Sequence, residues 1–114
     1  MLSEAQLTDF RKLLEQEHID FQERLQTLDR RLARDVNYNE AEDLGDSAIQ
    51  VLNKEEVLFE QNQATDRLAE VERALRRIEA GTYGISLVSG KPIPVERLKA
   101  MPTATTLVEE RPIS

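Results

Sequence analysis

Apolar residues recur along the first third of the chain at alternating spacings of four and three. Leu14, Phe21, Leu25, Leu28 and Leu32 fall on this rhythm, with His18 in phase among them. Such an a/d repeat marks a helix with one apolar stripe that a partner must cover. Upstream, Ser3-Glu4-Ala5-Gln6 has the form of a capping box, with Leu2 and Leu7 placed for the accompanying hydrophobic staple. The pattern therefore predicts a helix from Ser3 to about Arg34, about 45 to 50 Å long at 1.5 Å per residue. Asp35 to Glu40 (DVNYNE) is rich in side chains that compete for backbone hydrogen bonds and reads as a turn. A second helix is expected to open near Glu42 or Asp46 and run to Ala80. Its stripe comprises Ala48, Val51, Leu52, Leu58 and Phe59 near the turn, then Ala64, Leu68, Val71, Leu75 and Ile78. Gly81 supplies a left-handed residue to end it. Around Glu55, Gln61, Asn62 and Gln63 the stripe weakens, through either a polar layer or exposure of both helices.

Two helices of similar length with a short connection predict an antiparallel hairpin, each covering the other's stripe. After Gly81 the texture changes. Gly84, Gly90, Pro92, Pro94 and Pro102 interrupt any long helix, leaving a small hairpin around Ile85–Val88, a helical turn over Val95–Ala100 and a loose tail from Arg111. The fold class expected is mainly α: a coiled-coil hairpin over 1–81 with its tip near 35–48, and a small knob over 82–114.

Composition agrees with extended helices. The chain has 114 residues, 39% of them hydrophobic and 32% charged, with no tryptophan. Without cysteine, disulfides and thiolate metal sites are excluded. No membrane-length apolar run and no signal-peptide pattern is present, so a cytoplasmic protein is expected. The formal charge of −7 argues against a phosphate-neutralising surface and for protein partners over DNA. Five acids and no base lie between Asp35 and Asn53.

The polar cluster Asp43-Leu44-Gly45-Asp46-Ser47-Ala48 falls at the tip. Asp43 and Asp46 fit ordinary carboxylates at a helix N-terminus. Spaced three apart they also share a face, as an acid/base or magnesium pair would, although a protruding tip lacks the water-excluding surroundings that catalysis needs. His18, the one histidine, reads as a polar spacer in the seam. Ser86, Ser89, Thr105 and Thr106 have no base at motif spacing, and no phosphate loop or aromatic-basic surface is present. No enzyme is expected.

The stretch GTYGISLVSGKPIPVERLKAMPTATTLVEE, from Gly81 to Glu110, resembles the C-terminal finger of the DksA/TraR family of RNA-polymerase-binding proteins. In that family GTYG, PIP..RL and PTAT surround a four-cysteine zinc ribbon. Here the four ligand positions hold Ser86, Ser89, Leu107 and Glu110. The tip cluster matches the family's D-x-x-D-x-A motif at Asp43, Asp46 and Ala48. The resemblance implies a monomer that inserts this tip through the secondary channel of RNA polymerase toward the catalytic centre. It further implies altered open promoter complexes, including those at ribosomal RNA promoters, during nutrient starvation.

Several positions depart from the family pattern. Serine and leucine cannot replace thiolates around zinc, so a metal-free finger is expected, packed by Ile85, Val88, Ile93, Leu98, Leu107 and Val108. Ser47 replaces an arginine common in the family. Larger members bind ppGpp through basic residues; the register puts Glu70 and Met101 at two of these positions and leaves Arg97 and Arg111 nearby, which argues against a conventional ppGpp pocket. Two other classes fit a helical hairpin. One is an adaptor that binds a different protein through its exposed stripe; the other is a Gre-type cleavage factor, whose larger C-terminal domain this chain lacks room for.

Overall fold

Ser3 and Gln6 close a reciprocal pair at the start of the first helix. The Ser3 N–H donates to Gln6 Oε1 at 2.9 Å, and the Gln6 N–H donates to Ser3 Oγ at 3.1 Å. This satisfies amides that the helix itself leaves without partners. The computed structural model describes residues 2–39 and 47–110, without the side chains of 35–39 and 47–52. Three helices follow in order: α1 (Glu4–Asn39), α2 (Ser47–Ala80) and α3 (Val95–Ala100). The mainly α hairpin expected from the sequence is present, with α1 and α2 packed together. α1 runs further than predicted, because residues 35–39, read as a turn, are helical. Asp and Asn cost only some tenths of a kcal/mol more than good helix formers, and extending an existing helix requires no new nucleus.

The end of α2 follows from Gly81, whose φ is +78°. The Thr82 N–H donates to the Arg77 carbonyl at 2.9 Å and the Gly81 N–H to the Ile78 carbonyl at 3.2 Å, the two bonds of a Schellman motif. α3 coincides with the helical turn predicted over Val95–Ala100. The small hairpin expected at Ile85–Val88 is reduced to one antiparallel bridge, Ile85 to Pro92.

The described residues gather into two compact units. One comprises Met1–His18 with Glu70–Ser114, the other Ile19–Ala69. In the first, Phe10 and Leu14 of α1, Val71, Ala74 and Ile78 of α2, and Tyr83, Ile93, Leu98 and Ala104 of the knob are buried together. Each such large side chain contributes about 1.5–3 kcal/mol. Phe10 and Tyr83 rings pack with centroids 5.7 Å apart at 52°. Leu2 and Leu7, the predicted staple, line a cavity of about 360 Å³ with Ile78, Tyr83 and Ile93. Gly84 is required there. Its φ is +81°, and a Cβ would stand 2.9 Å from Leu2 Cδ1.

Among the described residues of the second unit, the seam rests on Leu28, Val57 and Ala64. Leu58 and Phe59, placed in the stripe by sequence, lie outside it; Val57 takes their place, seven residues before Ala64. The helical period selects one of three consecutive apolar residues, and only the partner helix decides which. The weakened stretch proves to contain polar links between helices: Arg24 pairs with Glu60, and Gln61 donates to Asp29 at 2.5 Å. Glu55, Asn62 and Gln63 are exposed.

Candidate functional site

The segment that joins α1 to α2 carries Asp43 and Asp46, and both lie outside the described residues. Ala48 falls in the first turn of α2, its side chain also outside the description, as is Arg111. What the structure does define is the chemistry of the knob.

There, the four positions that match the family's metal ligands come together. Ser86 is 3% exposed and every one of its polar groups is occupied. Its hydroxyl donates to Glu110 Oε1 at 2.5 Å. The same oxygen accepts the Val88 and Ser89 N–H groups at 3.1 and 3.2 Å. Its N–H donates to the Lys91 carbonyl, and its own carbonyl accepts the Gly90 N–H. A serine hydroxyl has one donor and two acceptor sites, so Ser86 Oγ is saturated. Glu110 Oε1 also accepts the Leu107 N–H at 2.8 Å, and the Ser89 hydroxyl bonds the same carboxylate. Hydrogen bonds from Ser86, Ser89 and Leu107 hold the Glu110 carboxyl below its ordinary range.

This arrangement bears on the zinc ribbon that the family resemblance implies. Two neutral hydroxyls, one aliphatic side chain and one carboxylate do not fit a tetrahedral zinc site. Here the carboxylate collects hydroxyl and amide hydrogens instead. Among the described residues no group of three or more His, Asp or Glu could hold a metal ion. The sequence signal was present, since a serine accepting from the second and third following amides is a common local motif. The distant Glu110 that completes it was not legible.

The apolar packing of the knob is as expected at Ile93 and Leu98, both buried, and differs at Val88 and Val108, which are exposed, the latter at 74%. Tyr83, Ala104 and Thr106 are buried in addition. Valine in a tight loop follows the turn geometry, and here the loop turns Val88 outward while Ser86 points in. The Tyr83 hydroxyl donates to the Pro102 carbonyl at 2.8 Å. Burial pushes its pKa up to about 12, against the opposing pull of Arg77. Arg97, named as a ppGpp-proximal residue, spends its Nε–H on the Thr106 carbonyl at 2.7 Å. In the seam His18 Nε2 lies 3.2 Å from Glu72 Oε1. The cavity beneath Leu2 has Tyr83 as its one titratable lining residue, and that hydroxyl is already committed. It offers no acid, base or nucleophile arranged for catalysis. No helix among the described residues is long and apolar enough to cross a membrane.

No family model matches the chain. Over 65 residues it is 48% identical to YteA of Bacillus subtilis, a protein of uncharacterised function, covering 57% of this chain and 27% of YteA. Over 67 residues it is 37% identical to the RNA polymerase-binding transcription factor DksA of Caulobacter vibrioides, covering 59% of this chain and 47% of DksA. The chain thus spans less than half the length of these curated relatives. In structure it is similar to transcription factor DksA2 of Pseudomonas aeruginosa, with TM-score 0.84 and 29% identity over 94% of this chain and 81% of DksA2. The hairpin, the finger frame, the motif order and these likenesses agree: the chain resembles the DksA transcription factors in sequence and fold, and it has no cysteine.

Proposed function

We propose that this protein is a non-enzymatic transcription regulator that binds RNA polymerase and acts through Asp43 and Asp46 in the segment joining α1 and α2. The observation that carries the reading is the likeness to the transcription factor DksA2 over 94% of the chain. The sequence match to an RNA polymerase-binding relative supports it. In this reading the paired helices enter the secondary channel and bring the two carboxylates to the catalytic-centre environment, destabilising open complexes at promoters that include those of ribosomal RNA. The knob is held by apolar packing and the Ser86–Glu110 cluster, without zinc. Regulation does not require ppGpp, since Glu70 and Met101 replace basic positions and Arg97 bonds Thr106.

Binding to core RNA polymerase from the source organism, followed by transcription with and without ppGpp, tests this. The expected result is binding in both the wild type and Asp43→Asn/Asp46→Asn, with the transcriptional effect lost only in the variant. Absence of binding would sink the reading. Stoichiometric zinc in purified protein, or unfolding by chelator, would overturn the metal-free knob.

A further inference from the structure

Phe59 stands on the outer side of α2 with 62% of its surface exposed, and the adjacent Leu58 is 39% exposed. Isolated exposed apolar residues are ordinary on protein surfaces. The surroundings of Phe59 are not. Glu55 and Glu56 precede it by four and three residues, and Asp66 follows it by seven, so all three share its side of the helix. All are exposed, and the other residues on that side, Asn62 and Gln63, are uncharged. Two bases lie close in sequence: Lys54, toward Leu58, and Arg67, eight residues on, which lines a groove with Gln63, Arg24 and Glu60. On the ring's side of the helix the exposed carboxylates thus outnumber the cations three to one, with Arg67 at the edge.

From this frame we infer that Phe59 is an anchor that enters an apolar pocket on a partner protein, with Glu55, Glu56 and Asp66 meeting lysine or arginine at the pocket's rim. The charge selects the occupant. A second copy of this chain would bring three more carboxylates against the three already present, and like charges across an interface cost affinity. Nucleic acid is excluded by the same sign. A basic protein surface gains on both counts: the ring supplies desolvated area at the centre, as aromatic hot spots do, and the rim steers the encounter. Phe59 lies about 18 Å along α2 from Ser47, twelve residues at 1.5 Å each. The inference rests on the reading that RNA polymerase is the partner, and it names a contact on the flank of the hairpin that is separate from Asp43 and Asp46.

The test measures affinity for core RNA polymerase by titration of labelled full-length protein. Phe59→Ala is expected to weaken binding about ten-fold or more, and Phe59→Tyr to restore most of it. Exchanging Glu55, Glu56 and Asp66 for Gln, Gln and Asn should flatten the salt dependence of binding. Because Phe59 is exposed and alanine is a better helix former, helicity and melting temperature should stay at wild-type values, which separates lost contact from lost fold. Unchanged affinity of Phe59→Ala, while the wild type binds, overturns the anchor and leaves the proposed function standing. Failure of the wild type to bind overturns that function and the anchor with it. A concentration-dependent dimer abolished by Phe59→Ala would overturn the choice of a basic partner.

Discussion

The two compact units of this chain are held in different ways. In the unit built from Met1–His18 and Glu70–Ser114, three sources converge on one core: α1, α2 and the knob. Leu14 and Leu98 are both fully buried. The unit Ile19–Ala69 is a two-helix seam in which only Leu28, Val57 and Ala64 are buried among the described residues, flanked by polar pairs such as Gln61 with Asp29. Two helices can enclose one narrow stripe and no more. A third element closes the core from another side, and that is what the knob adds. The difference shows in what each unit leaves uncovered: the two-helix unit leaves Leu58 and Phe59 exposed, while the three-element unit encloses Leu14 and Leu98 completely.

The largest expected effects probe this contrast in the cores. Leu98→Ala should cost toward the upper end of about 2–5 kcal/mol, because its site is enclosed and cannot collapse. Leu28→Ala should fall toward the lower end, because two helices with open flanks can relax together. Chemical denaturation of both variants measures the difference, and a larger loss for Leu28 would break the comparison.

A smaller effect is expected at the hydrogen-bonded cluster. Ser86→Ala leaves the Val88 and Ser89 amides without their acceptor, a loss of about 1–3 kcal/mol. Glu110→Gln should also destabilise, with a pH signature. The folded pKa of Glu110 lies below its ordinary value, so its contribution is complete above the unfolded carboxylate pKa and is lost as pH falls through the lowered folded value. The gap between wild type and Glu110→Gln should therefore close in acid. A gap that is constant with pH would mean that the carboxylate's charge does not hold the knob.

The smallest effect is at Tyr83. Tyr83→Phe removes one hydrogen bond to Pro102, about 0.5–1.5 kcal/mol. Since burial raises its folded pKa to about 12 from the ordinary 10.0, the neutral phenol stabilises the fold below pH 10. That stability is lost as pH rises from 10.0 toward 12. Melting curves over this range should show a steeper alkaline fall for the wild type than for Tyr83→Phe.

Sequence alone determined the elements whose causes are local. The capping box at Ser3, the glycine stop at Gly81 and the short helix Val95–Ala100 each depend on residues within a few positions of one another, and the hairpin follows from two matched stripes. α1 extends past the turn that Asp35 to Asn39 suggest, because their weak local preferences yield to an established helix. Tertiary structure alone decided which member of Val57-Leu58-Phe59 enters the seam, since a helical period admits each until a partner is docked. It also brought Glu110 back to Ser86, 24 residues away. The family resemblance marked Ser86, Ser89, Leu107 and Glu110, and only the folded knob could reveal that a carboxylate, two hydroxyls and an amide bond one another there. Hydrogen bonds between loops require both loops to be placed, and no local rule places them.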